Sequence, residues 1–312
     1  MKEIAAGVDI GGTNIVTGLL EKDGSIVYCS SLKTKDLSTP QALVKAISEE
    51  ITKGLEKGDY TLRGIGIGAP TANSKTGKIE FSANLPWKEE VDFPSLFKSF
   101  FNAPVTVAND ANAAAIGEMI YGKAKGMRDF ILITLGTGLG SGIISNGELV
   151  TGYDSYAGEI GHTIIEINGR KCGCGRKGCL ETYVSATGIK RTAVEMLESK
   201  MPSLLENEPI ENVGAKMICE AAMKGDRLAL TAFEITAQYL GLALANSVAY
   251  TSPEAIFLFG GLSNAGDLLL VPTKKYMEEN LLHLYKNRVK LEVSGLNEQN
   301  AAILGASALV WK

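Results

Sequence analysis

Three of the chain's five cysteines crowd into CGCGRKGC as Cys172, Cys174 and Cys179, and one of its two histidines, His162, lies ten residues before the first of them. Thiolate and imidazole are the ligands zinc prefers, and glycines between them allow the tight backbone path that tetrahedral coordination needs. Three Cys and one His fill four positions and leave none open, so the ion that such a set takes is structural. A disulfide or a group of unpaired buried thiols is the competing account, although three cysteines cannot all pair with one another. Cys29 and Cys219 stand apart and read as small buried hydrophobes.

Carboxylates flank this cluster. GEIGH sets Glu159 three residues before His162, and CLE sets Glu181 two after Cys179, so a loop folded round an ion should bring both to one place. Carboxylates that accept hydrogen bonds from hydroxyls are what a sugar site requires, and His162 has a second ring nitrogen to offer a hydroxyl. A salt-bridged surface loop explains either glutamate taken alone. Moving a phosphoryl group to a hydroxyl also needs a base within reach of that hydroxyl and little other covalent help. In VTVANDANAAA, Asp110 falls where a strand ends and a helix begins, the edge at which α/β proteins gather reactive groups, and it is the candidate base. Asn109 beside it would orient a sugar hydroxyl; capping the helix is the alternative role for both residues. Asn84 in SANLPW is a weaker candidate, with a turn role as the equal alternative.

Three glycine turns follow apolar strands, in VDIGGTNIVTGLL (8–20), FILITLGTGLGSGII (130–144) and AIFLFGGLSNAGD (255–267). A turn without side chains lets backbone N–H groups approach an anion, and a phosphate uses several such donors at once. Asp9, just before the first pair of glycines, is placed to reach a hydrated Mg²⁺, or else serves the turn itself. A plain hairpin accounts for GGTN alone, Gly-Gly supplying the positive φ of such turns. There is no G-x-x-x-x-G-K-[ST]. GIGIGA, 64–69, fits G-x-G-x-x-A, but Pro70 follows where a helix should open, so the dinucleotide fingerprint fails its context. What remains is a pair of β-hairpins, one from each half, closing on a nucleotide's phosphates.

The elements that must carry these residues are α/β. Thr39-Pro40 opens a helix with Leu43, Ala46, Ile47, Ile51 and Leu55 along one stripe, and strands lie either side of GGTN, at 64–68 and at 105–108. Strand, Gly-Thr turn, strand occurs at 8–20 and again at 130–144, a weak internal repeat that suggests two related halves. A helix is expected after Ser263 or Asn264, and NEQNAAILGASALVWK should be a terminal helix with Ala301, Leu304, Ala308 and Trp311 facing the N-terminal domain. With 312 residues, 45% of them hydrophobic, the chain has room for two buried cores, here divided as 1–115 completed by 298–312, and 116–297. Net charge −4 and pI near 5.5 argue against nucleic acid as a partner. No signal-peptide core and no apolar run of the ~18 residues that span a membrane is seen, which makes the cytoplasm the expected compartment and a membrane an unexpected partner.

DIGGTN, GIGAP, NDANAAAIGE, LGTGLGSGI, GEIGH, CGCGRKGCLE and GGLS together, in this order, resemble the ROK sugar kinases, whose bacterial glucokinases and N-acetylhexosamine kinases share them. The resemblance covers nearly the whole chain. It implies a two-domain actin-like (ribonuclease H-like) fold with ATP and sugar in the interdomain cleft. It implies a zinc ion on His162, Cys172, Cys174 and Cys179, Asp110 as base, and Asn84, Asn109, Glu159, His162 and Glu181 on the sugar. For the nucleotide it implies Gly11, Gly12 and Thr13, then Gly136, Thr137 and Gly138, with Gly260 and Gly261 nearer the adenosine. Glucose is the expected sugar, with N-acetylmannosamine or N-acetylglucosamine as alternatives, and the family's members are often dimers or tetramers. The same family holds sugar-responsive repressors with a helix-turn-helix ahead of the sugar-binding part; only eight residues precede Asp9 here, which favours the kinase.

Overall fold

The computed structural model describes residues 1–80 and 85–312; Asn84 lies outside the described residues. The chain forms two compact units, the first of Met1–Met127, Leu149–Gly158 and Gly295–Lys312, the second of Arg128–Glu148 and Glu159–Ser294.

The first unit is built on β1 (Lys2–Ile10), β2 (Asn14–Leu20), β3 (Ile26–Lys33), β4 (Tyr60–Gly68) and β5 (Val105–Ala108), in the order β3-β2-β1-β4-β5. The hairpin β1/β2 is antiparallel with Ile10 opposite Ile15, while β4 and β5 run parallel to β1. Helix α1 (Pro40–Leu55) covers the sheet with Leu43, Val44, Ile47 and Ile51 buried, and Thr39 caps it by accepting the Ala42 N–H at 3.2 Å. The short α2 (Phe93–Phe97) adds two buried phenylalanines to that core, and α3 (Asp110–Tyr121) leaves the end of β5. In the second unit, β6 (Phe130–Leu135), β7 (Leu139–Ser145), β8 (Glu148–Leu149), β9 (Ala255–Phe259) and β10 (Lys290–Val293) repeat the pattern as β8-β7-β6-β9-β10. Again the hairpin β6/β7 is antiparallel and β9 pairs parallel with β6. Its core is filled by α4 (Ala186–Glu198), α5 (Ala215–Met223), α6 (Arg227–Thr251) and α7 (Asp267–Asn280).

The first unit runs past 115, because α3 packs along α8 (Ala301–Trp311) and could not be cut there without exposing its buried Ile116 and Gly117. A Cβ on Gly117 would lie 2.9 Å from the Gly305 Cα. Leu149–Gly158 also belongs to this unit, where the Asn73 amide donates to the Asp154 carbonyl at 3.1 Å and Lys75 Nζ to those of Gly152 and Tyr153, each at 2.6 Å. Helix α8 begins at Ala301 and buries Ile303, Gly305, Ala306 and Ser307 along with Ala301 and Ala308. Leu304 and Trp311 are only half-buried, so the expected single stripe is too narrow: α8 is enclosed by the sheet on one side and α3 on another. The glycines of GIGIG explain how it gets there. A Cβ on Gly66 would stand 1.8 Å from the Ala306 carbonyl oxygen, and one on Gly7 2.2 Å from that of Ile303. The sheet is paved with glycine where a helix backbone lies on it.

Among the described residues one helix, α6, is long and apolar enough to span a membrane by length and composition. Most of it is packed in the second core, through Leu228, Phe233, Leu240 and Leu244 among others. A short 3₁₀ turn, Gly261–Ala265, precedes α7, which starts later than the sequence suggested.

Candidate active site and metal centre

In the first unit the turn GGTN closes β1/β2, with the Gly11 N–H donating to the Asn14 carbonyl at 3.0 Å. Neither Gly11 nor Gly12 has positive φ, contrary to the hairpin expectation. What the turn uses is the missing side chain, since a Cβ on Gly11 would lie 2.9 Å from the Asn14 oxygen. Two residues that sequence reasoning missed hold this turn from behind. Buried Thr34, just past β3, donates its hydroxyl to the Gly11 carbonyl at 2.7 Å and its N–H to the Thr13 carbonyl at 3.1 Å. Because C=O and N–H point opposite ways in a trans peptide, capture of the Gly11 carbonyl aims the Gly12 N–H away from Thr34. Lys33 Nζ donates to Asn14 Oδ1 at 2.8 Å. Only a β-hairpin register reveals this, because Asn14 pairs with Lys33 across β2/β3.

Asp9 sits at the end of β1, and burial, then the charge of Asp110, pushes its carboxyl up to about 6. Asp110 is the first residue of α3 and is exposed at its surface, while the protein packed round its carboxyl raises it from the ordinary value by desolvation. The Ala111 N–H, 2.7 Å from Asp110 Oδ1, opposes that shift. Asn109 does cap α3, accepting the same N–H at 2.9 Å through Oδ1. The capping role is therefore real and leaves the amide nitrogen for a ligand. Asp9, GGTN, Asn109 and Asp110 thus meet at one end of one sheet.

In the second unit Gly136, Thr137 and Gly138 link β6 to β7, and the Gly136 N–H donates to the Gly138 carbonyl at 3.1 Å. Gly260 ends β9 with φ 100°, which only glycine adopts readily, and a Cβ there would lie 2.9 Å from the Leu135 carbonyl oxygen. Space around Gly261 is open. His162 lies in a short 3₁₀ turn, Ile160–His162, which rests on β7: a Cβ on Gly161 would come within 2.3 Å of the Leu139 oxygen, and the Ile160 N–H donates to Ser141 Oγ at 3.2 Å.

The cysteine loop folds as a narrow ribbon, with Lys171 opposite Lys177 and Ile164 opposite Cys179. Gly175 and Gly178 take positive φ, and a Cβ on Gly178 would meet the Glu166 oxygen at 1.8 Å. The ligand atoms of His162, Cys172, Cys174 and Cys179 lie within 4.8 Å of one another. Nδ1 of His162 is 3.7 Å from Cys172 Sγ, and the sulfurs of Cys174 and Cys179 are 3.6 Å apart. This donor set can hold a zinc ion, and with Nδ1 turned to the sulfurs the Nε2 edge is left for another partner. The backbone N–H of Arg176, then its side chain, brings Cys174 down to about 6, whereas burial pushes Cys172 up to about 12. Arg170 turns inward: its guanidinium lies over the Tyr183 ring and donates to the Thr182 carbonyl at 2.9 Å and to Thr192 Oγ1 at 3.0 Å, fastening the loop to α4. Glu181 is drawn to the cluster, with Oε1 3.7 Å from Cys172 Sγ; Glu159 stands exposed at the head of the His162 turn. Cys29, read as buried, is exposed because the alternation of edge strand β3 turns it to solvent, and Cys219 is half-buried.

The profile described as "ROK family" matches residues 5–312. The chain belongs to the ROK family. A glucokinase of Halalkalibacterium halodurans is 39% identical over 97% of this chain and 94% of its own length. The xylose repressor of Bacillus subtilis is 31% identical over 98% of this chain and 76% of its own. The crystal structure of a ROK family glucokinase from Streptomyces griseus with glucose and AMPPNP superposes with a TM-score of 0.80 at 32% identity, covering 98% of both chains. The fold is the actin-like ATPase fold of the ROK sugar kinases, and the repeated five-stranded sheets are its two halves.

Proposed function

We propose that this ROK sugar kinase transfers the γ-phosphoryl group of ATP to a hexose hydroxyl, forming glucose 6-phosphate from glucose. The observation that carries the reading is the meeting of Asp9, the GGTN turn, Asn109 and Asp110 at one sheet end, with both carboxyls raised above their ordinary range. Asp110 accepts the proton of the sugar hydroxyl as its oxygen attacks the γ-phosphorus and the bond to the ADP oxygen breaks. A base raised towards operating pH takes that proton with more driving force. Asn109, Glu159, His162 through Nε2, and Glu181 hold the other hydroxyls, as does Asn84. Gly11, Gly12 and Thr13, with Gly136, Thr137 and Gly138, offer N–H groups to the phosphates, and Gly260 and Gly261 give the adenosine an approach without side chains. Asp9 is the residue that would hold a hydrated Mg²⁺, which would supply positive charge to the phosphates during the transfer. His162, Cys172, Cys174 and Cys179 would hold a structural zinc ion, which would order the loop and take no part in the transfer.

Glucose ranks first because the similar enzymes are glucokinases; the N-acetylhexosamines are the runners-up and differ in the room they need at carbon 2. The likeness to a xylose repressor supports a second reading, a sugar-responsive regulator. Sugar-dependent ADP release, measured over glucose, mannose, N-acetylglucosamine and N-acetylmannosamine, tests both. The highest kcat/KM is expected on glucose. A chain that binds a sugar but releases no ADP with any of them is a regulator.

A further inference from the structure

The backbone that leaves the cysteine loop runs directly behind the second glycine turn. Two residues past Cys179, Glu181 accepts the Leu139 N–H through Oε2 at 3.0 Å, while the Cys172 thiol approaches its Oε1 at 3.7 Å. Gly138 makes room for this carboxylate, since a Cβ there would stand 2.3 Å from Oε2. Ser185 Oγ donates to the Glu181 carbonyl at 2.8 Å, bending the chain into α4. From the first turn of α4 the Ala186 N–H donates to the Gly136 carbonyl at 2.9 Å, and the Thr187 hydroxyl donates to the Thr137 carbonyl at 2.7 Å. The carbonyls of Gly136 and Thr137 are thereby both captured by the start of α4. In trans peptides this aims the N–H groups of Thr137 and Gly138 to the other side, where an anion would lie.

We infer that Glu181–Thr187 is a positioning clamp, through which the metal-organised cysteine loop sets the geometry of the Gly136–Gly138 turn and so couples metal occupancy to the binding of nucleotide phosphates. The inference rests on the reading of that turn as a phosphate site and of the cluster as a zinc site. Thr187 is the residue to change, because it touches neither the metal ligands nor the residues assigned to the sugar. Thr187→Val and Thr187→Ser would be compared with the wild type as metal-loaded full chains, by calorimetric titration with AMPPNP, with adenosine and with glucose.

Val at 187 should weaken AMPPNP about 3- to 10-fold, the worth of one hydrogen bond. Ser should restore it, and adenosine and glucose should bind as before. Wild type stripped of metal by a chelator, and verified by elemental analysis, should lose AMPPNP affinity by at least the same factor. Thr187→Val binding AMPPNP like the wild type, or a stripped chain that loses glucose but keeps AMPPNP, overturns the clamp while leaving the kinase reading intact. Loaded wild type that binds no AMPPNP overturns the kinase reading and the clamp together.

Discussion

The two sheets share strand order, hairpin and a glycine turn, yet the two turns are held by different means. In the first unit a single buried residue, Thr34, one strand away, takes the carbonyls of Gly11 and Thr13. In the second, Glu181, just past a loop gathered by three cysteines and a histidine, and Ala186 and Thr187, at the start of α4, reach the turn. A local clasp needs only the sheet to be folded, whereas the remote one also depends on whatever orders the loop. The halves differ in their floors too: glycines seat α8 on the first sheet, while side chains of α6 fill the second core. A shared pattern of strands therefore fixes where a turn lies without fixing how its N–H groups are aimed.

The sharpest way to break the comparison is to remove the group that only the first unit has. Asp110→Asn keeps shape and hydrogen bonds but cannot take a proton, so kcat should fall by about 10²–10⁴ with glucose affinity within a few-fold. Retention of more than about a tenth of kcat at saturating ATP and glucose would remove Asp110 from the role of base.

Next in size is the seating of α8. Gly66→Ala forces a Cβ into the space of the Ala306 carbonyl, and should cost on the order of 2–4 kcal/mol, felt by the first unit alone. Hydrogen exchange should quicken in β1, β4 and α8 while β6 and β9 keep their protection. Equal loss in both sheets would show that the units do not unfold separately.

Asp9 gives a smaller effect with a definite pH sign. Its carboxyl, at 3.8 ordinarily, rises to about 6 in the fold, so its contribution to stability is full below about 4 and is lost as pH rises through about 6. Asp9→Asn removes that loss. Without Mg²⁺ or nucleotide the variant should be more stable than the wild type near pH 7, by on the order of 2 kcal/mol, and equal to it at acid pH. Melting curves that differ by the same amount across the range would show that Asp9 does not titrate as described.

The smallest expected change is at the local clasp. Thr34→Val keeps the backbone N–H to Thr13 and loses the hydroxyl to Gly11, so KM for ATP should rise about 3- to 10-fold with KM for sugar unchanged. A matched shift in both constants would mean that Thr34 supports the unit as a whole.

Residue type and spacing determined a good deal by themselves. CGCGRKGC with His162 specifies a four-donor cluster because so few backbone paths connect ligands that close in sequence, and the structure brings the four together. Helix α1 was legible from its cap and stripe, and Asp110 at a strand-to-helix edge from its flanking pattern, since these signals are local. Tertiary structure alone decided the rest. GIGIG looks like a failed nucleotide fingerprint until α8, more than two hundred residues later, is seen lying on it. Nothing near Arg170 in the sequence shows that Tyr183 and Thr192 will surround it. Thr34 and Thr187 are unremarkable letters, and their task depends on which carbonyl happens to face them across a strand or a loop. Local chemistry is written in neighbouring residues, but the direction of a backbone N–H is set by what holds the carbonyl behind it, and that partner comes from elsewhere in the chain.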